Sequence, residues 1–141
     1  MALRPEVLAP AGDRDALEAA VLSGADAVYL GLSSFNARAR ATNFTEDDLV
    51  SAVRFAHERG TKVYVALNTL VFEHELGAVV AAISAVARAG ADAIIVQDPA
   101  VALLAKAVAP TLAVHASTQM TCTDASSVRF AEELGRTSTL V

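Results

Sequence analysis

His115 and Ser117 stand two residues apart in Leu112-Ala113-Val114-His115-Ala116-Ser117, a run that reads as a strand, so both side chains leave the same face. Asp98 ends the apolar run before it. A base, a nucleophile and an orienting carboxylate can be drawn from these three, which is the set that acyl transfer uses. A triad is defined by distances, and the same residue types also describe a polar cluster that binds a ligand without attacking it. Asn68, Gln97 and Gln119 sit at the ends of neighbouring runs and would add carboxamides to such a cluster.

A second group lies between Gly31 and Thr45, a connection longer than the roughly two to six residues usual between a strand and a helix. It carries Ser34, Phe35, Asn36, Arg38, Arg40, Asn43 and Phe44. Arg38 or Arg40 could fork a carboxylate or phosphate, with Phe35 or Phe44 as a flat apolar wall. The plainer reading is a solvated loop whose aromatic rings fold onto the rim. Asp13 reads as a helix cap, and its charge disfavours a phosphate there. His57 and His74 fall on solvated helical faces. Cys122 is the single cysteine, too few for an internal disulfide or a four-thiolate metal site, and reads as a small hydrophobe. Zinc-hydrolase and phosphate-loop motifs are absent from the sequence.

The elements that must position these groups follow from periodicity. Apolar runs at 6–9, 26–30, 62–68, 92–97 and 112–117, and the start of a sixth at 137–141, alternate with helical patterns. Interiors such as Val63-Tyr64-Val65 and Ile94-Ile95-Val96 are continuously hydrophobic, as parallel strands covered on both faces are. Leu17, Ala20 and Val21, then Leu49, Val53 and Ala56, then Val79, Ile83 and Val86 each form one helical face. Thr45 with Asp48 resembles a capping box, and Gly24, Gly60, Gly90 and Gly135 mark helix ends. The near copies Gly24-Ala25-Asp26-Ala27-Val28 and Gly90-Ala91-Asp92-Ala93-Ile94 make the strand and helix unit a weak internal repeat.

Such alternation predicts right-handed βαβ units in an α/β fold. Without a dinucleotide-type glycine motif after the first strand, and with polar residues at the strand ends, the expected architecture is a parallel TIM-barrel-like (β/α) sheet. It is incomplete: five units and part of a sixth strand, in one partial domain over residues 1–141. Open edges of that kind invite self-association, and one alternative for the function is a non-catalytic half-barrel that pairs with another chain.

Composition narrows the function. Of 141 residues 54% are hydrophobic and 19% charged, which excludes disorder, and the net charge of −5 is opposite to a nucleic-acid footprint. No apolar run is long enough to span a membrane and no secretory pattern opens the sequence, so a cytoplasmic protein is expected.

Eight ordered blocks carry a family resemblance. They are Glu6-Val7-Leu8-Ala9-Pro10-Ala11-Gly12-Asp13, Gly24-Ala25-Asp26-Ala27-Val28-Tyr29-Leu30-Gly31, Phe35-Asn36-Ala37-Arg38, Asn43-Phe44, Ala56-His57-Glu58-Arg59-Gly60, Asn68-Thr69-Leu70, Ala93-Ile94-Ile95-Val96-Gln97-Asp98 and His115-Ala116-Ser117-Thr118-Gln119. Together they resemble the N-terminal domain of the collagenase-like peptidases, family U32. The resemblance implies one of two activities. One is oxygen-independent hydroxylation of tRNA, rRNA or ubiquinone, with an iron–sulfur cluster on cysteines further along the chain and a link to prephenate. The other is peptidase action through His115 with Ser117 or Cys122. No cofactor is expected on this stretch itself, nor activity from it alone. In this reading Arg38, Asn68, Gln97 and Gln119 hold a small anionic molecule at the barrel mouth, while RNA contacts belong to other segments. The ending Gly135-Arg136-Thr137-Ser138-Thr139-Leu140-Val141 departs from the family pattern, as in a partial member.

Overall fold

A computed structural model describes residues 4–37 and 43–135. The predicted runs become β1 (Leu8–Pro10), β2 (Ala27–Gly31), β3 (Lys62–Leu67), β4 (Ala93–Val96) and β5 (Ala113–Ala116). They alternate with α1 (Arg14–Leu22), α2 (Glu46–His57), α3 (Leu76–Arg88), α4 (Pro99–Val108) and α5 (Ala125–Gly135). Strand ends differ from the sequence expectation by no more than two residues, and the expected sixth strand lies outside the described residues.

Local chemistry starts the helices where expected. Asp13 accepts a hydrogen bond from the Ala16 amide at 2.8 Å, and Thr45 and Asp48 form a reciprocal capping box. Gly24, Gly60 and Gly90 turn the chain from helix to strand at φ of 88°, 75° and 82°, where a side chain would be strained.

All strand pairs are parallel, and the sheet order is β1-β2-β3-β4-β5. A doubly wound sheet reverses its order at a switch point, whereas this one never does. The five units therefore form an open, TIM-barrel-like sheet. Val28, Leu30, Val63, Val65, Ile94 and Val96 face the helices and bury against Leu17, Leu49, Val53, Ile83, Val86 and Val101. The opposite face carries a smaller cluster of Ala27, Tyr64, Ala93 and Ile95, with Leu8 and Tyr29 beside it.

The repeated Gly-Ala-Asp segment acts as a strand clamp. Asp26, just before β2, accepts from the Val7 amide at 2.8 Å, and Asp92, just before β4, accepts from the Val63 amide at 2.7 Å. Each carboxylate thus ties its own strand to the one preceding it in the sheet. Asp92 also receives His57 Nε2 at 2.8 Å. Asp92→Ala leaves the Val63 amide without its acceptor, and stability in urea should fall by about 1–3 kcal/mol. Asp92→Asn, which keeps an acceptor oxygen, should lose less; an unchanged midpoint for the alanine variant contradicts the clamp.

Candidate functional site

Parallel strands all finish on one side of their sheet, so the residues following them collect there. A cavity of about 230 Å³ opens at that end. Pro10, Ala11 and Gly12 follow from β1, Gly31 ends β2, Ala66 and Asn68 come from β3, Ile95 from β4, and Ser117, Thr118 and Gln119 follow β5. Asn36, Ala37 and Asn43 enter from the long connection after β2. None of the described lining residues is charged; carboxamides and hydroxyls supply its polarity.

Small residues and amides hold that connection in place. The bridge between Leu32 and Phe44 brings its two ends together, through Phe44 N to Gly31 O at 3.0 Å and Ser33 N to Phe44 O at 3.2 Å. Phe35 turns at φ 57°, in the left-handed region. Asn36 then lies over Gly31, where a Cβ would meet its side-chain amide, and donates to Asn43 Oδ1 at 2.7 Å. Asn68 Oδ1 accepts from the Ala37 amide at 3.2 Å, which ties the connection to the end of β3. Phe44 is buried in the core and is not a wall of the cavity. Arg38 and Arg40 lie outside the described residues.

The structure separates the other candidates. Asn68, Ser117 and Gln119 line the cavity together, while Gln97, half-buried after β4, does not. Ser117 Oγ accepts from the Gln119 amide at 3.2 Å. Asp98 spends one oxygen capping α4 on the Ala100 amide at 2.9 Å and the other on the Val71 amide at 3.0 Å. In this arrangement it serves as a helix cap and a loop tether. Cys122 is half-buried, its thiol facing the Ser127 carbonyl at 3.7 Å.

His115 leans away from the mouth. Its ring meets Tyr64 edge-on, with centroids 4.8 Å apart and planes at 78°, and its Nδ1 has no hydrogen-bond partner among the described residues. Among the described residues no hydrogen bond links Asp98, His115 and Ser117 to one another. Beneath the ring lies a group that the sequence reading missed. The Tyr64 hydroxyl donates to Glu6 at 2.5 Å and Lys62 Nζ donates to the other Glu6 oxygen at 2.8 Å. The period-two alternation of Lys62, Tyr64, Ala66 and Asn68 is the signal that could have found it.

These contacts set opposite proton affinities. The Lys62 hydrogen bond, then that of Tyr64, holds the Glu6 carboxyl below the carboxylate range, while burial raises the Tyr64 phenol and lowers the His115 imidazole. A lowered folded-state pKa means that acid favours the unfolded chain. The contribution of His115 is complete above its ordinary value of 6.5 and is lost as pH falls below it. That of Glu6 is lost only below 4.5. The unfolding free energy should therefore decline between pH 7 and pH 5, roughly the imidazole window, and His115→Phe should flatten the decline. A slope that survives the substitution contradicts the assignment.

Comparison with known proteins places this geometry in a family. The model of peptidase family U32 matches residues 12–141. The tRNA hydroxylation protein P1 of Bacillus subtilis is 36% identical over 132 residues, covering 94% of this chain and 31% of the relative. The collagenase of Porphyromonas gingivalis is 36% identical over 126 residues, covering 89% and 30% respectively. The 23S rRNA 5-hydroxycytidine synthase of Escherichia coli is 38% identical over 134 residues, covering 95% and 20%. The chain thus spans less than a third of the length of these relatives. Among solved structures a U32 peptidase superposes with a TM-score of 0.76 at 14% identity, covering 99% of this chain and 60% of that one. A deoxyribose phosphate aldolase from Aeropyrum pernix superposes at 0.61 and 16% identity, over 79% and 53%, which supports the fold alone. With the family model matching from the first strand end onward, the chain belongs to peptidase family U32.

Proposed function

We propose that the intact protein hydroxylates RNA and that this chain provides the pocket for a small anionic co-substrate, a dicarboxylate such as prephenate. The observation that carries the reading is the strand-end cavity with its uncharged lining and the loop pinned across it by Asn68. Carboxamides and hydroxyls there can hydrogen-bond carbonyl and hydroxyl groups, and they leave the ligand's charge to a residue beyond the lining. The group assigned to a carboxylate is the guanidinium of Arg38, whose forked donors suit it. Gln119 lines the same space; Gln97 is kept as a secondary contact.

RNA hydroxylation is favoured because two of the compared relatives carry that activity in their names. RNA itself would be held by segments outside this chain, consistent with a net charge of −5. The iron–sulfur cluster implied by the resemblance does not fit here. One cysteine cannot ligate it, and the described residues contain no group of three or more side chains suited to a metal ion. No step is assigned to such a cluster on this chain. Among the described residues no helix is long and apolar enough to cross a membrane.

Arg38→Ala in the intact protein should abolish the hydroxylated nucleoside, read by mass spectrometry of digested RNA, with an unchanged circular dichroism spectrum. Asn68→Ala should raise the KM for the dicarboxylate about tenfold, the scale of one lost hydrogen bond to a charged group or to its support. Unchanged product from both variants contradicts the reading. Cleavage of denatured collagen that disappears when Ser117 and Cys122 are replaced would establish the peptidase alternative instead.

A further inference from the structure

The strand-end cavity is polar at its rim and apolar at its base, and the base exists because one row of the sheet is nearly bare. Parallel-barrel interiors are filled mainly by bulky branched side chains. Here Gly31, Ala66 and Ile95 stand side by side in register on β2, β3 and β4. Two of these three carry no more than a methyl group, and all three line the cavity. The side-chain amide of Asn36 takes the place that a Gly31 side chain would need, so polar groups begin immediately above this row. Tyr29, two residues before Gly31 and hence on the same face, lines the cavity one row lower, in register with Tyr64. Tyr29 and Ile95 both belong to the apolar cluster of the inward face. Asn68, Ser117 and Gln119 come from beyond the strand ends and complete a polar rim.

We infer that this base receives one carbocyclic ring, laid with its face against Ala66, Ile95 and Tyr29, while the polar substituents of the ring turn outward to the rim. Ala66 is then the residue that selects ring-bearing over open-chain dicarboxylates. The inference rests on the reading of the cavity as a pocket for a small anionic molecule, and adds which part of that molecule enters first. Size limits the occupant: about 230 Å³ lies below the roughly 300 Å³ at which pockets for drug-sized ligands begin, so one ring with its substituents fits. Chemistry limits it further. An open-chain dicarboxylate satisfies the rim but leaves the apolar base uncovered, and so forgoes the gain from burying hydrocarbon there. A nucleobase would press polar ring edges against Ala66 and Ile95, which offer no side-chain partner. The ring of the co-substrate, and not a base of the RNA, is therefore the group that the base accepts.

The test is carried out on the intact protein with its alanine and isoleucine methyl groups labelled, titrated separately with prephenate and with malate, an open-chain dicarboxylate. Nuclear Overhauser contacts should join the ring protons of prephenate to the methyl groups of Ala66 and Ile95, and malate should bind about tenfold or more weakly. Ala66→Leu, which fills the base, should weaken prephenate about tenfold or more and leave malate within twofold, roughly the scale of lost apolar burial against an untouched rim. Prephenate that binds saturably without those methyl contacts overturns the inference, as does malate bound as tightly as prephenate or a leucine variant that retains full prephenate affinity; each of these leaves the anionic pocket standing. Binding of neither compound overturns the inference and the pocket together. If the leucine variant fails to fold, the methyl contacts and the affinity ratio of the unaltered protein decide.

Discussion

Each crossover returns the chain to the far edge of the strand it has just left, and the helices it deposits are confined to one side of the sheet. That single constraint separates the two faces chemically. The helix side must be apolar along its whole length, and Val28, Val63, Ile94 and Val114 supply it. The other side is free to carry polar groups, and it does so in two levels, a titratable floor and a neutral mouth. Strand direction also decides where the connections lie: the segments after β1, β2, β3 and β5 all reach one rim although they are far apart in sequence.

The two levels do different work. At the floor, Lys62 and Tyr64 both bind Glu6, so the charge is matched locally, and burial lowers the proton affinity of His115. In parallel barrels that end is where stability is built, whereas chemistry belongs to the opposite end. At the mouth the lining has no charge of its own, and three asparagine side chains, Asn36, Asn43 and Asn68, shape the connection that borders it. Carboxamides suit this position because each both donates and accepts, and one residue can hold a loop while still facing a ligand.

Much of this was legible in the residues. Continuous apolar runs and glycine-marked helix ends gave the order of elements, and polar strand ends gave the rim. What was not legible depended on pairing between distant segments. The repeat containing Asp26 and Asp92 is visible in sequence, but its job as a clamp requires the Val7 and Val63 amides, brought alongside only by sheet register. Asp98 was read as a site carboxylate, yet Asp followed by Pro is also a helix start, and the backbone amides of Ala100 and Val71 claim it. Alternation correctly put His115 on the face of Ser117 but could not tell which way along that face the ring would lean. Tyr64, which receives it, lies two strands away across Ala93 and Ile95. Phe44 looked like a ligand wall because it sits in a long polar loop; its bridge to Leu32 draws it into the core.

Amide chemical shifts of the intact protein, followed while prephenate is titrated in, address the concentration of function at one rim most directly. The account predicts that Gly12, Gly31, Ala37, Asn68 and Thr118 move together and saturably, while Glu6 and Tyr64 on the floor stay still. Shifts confined to the floor or to the outer helices, or no saturable response anywhere, would contradict it.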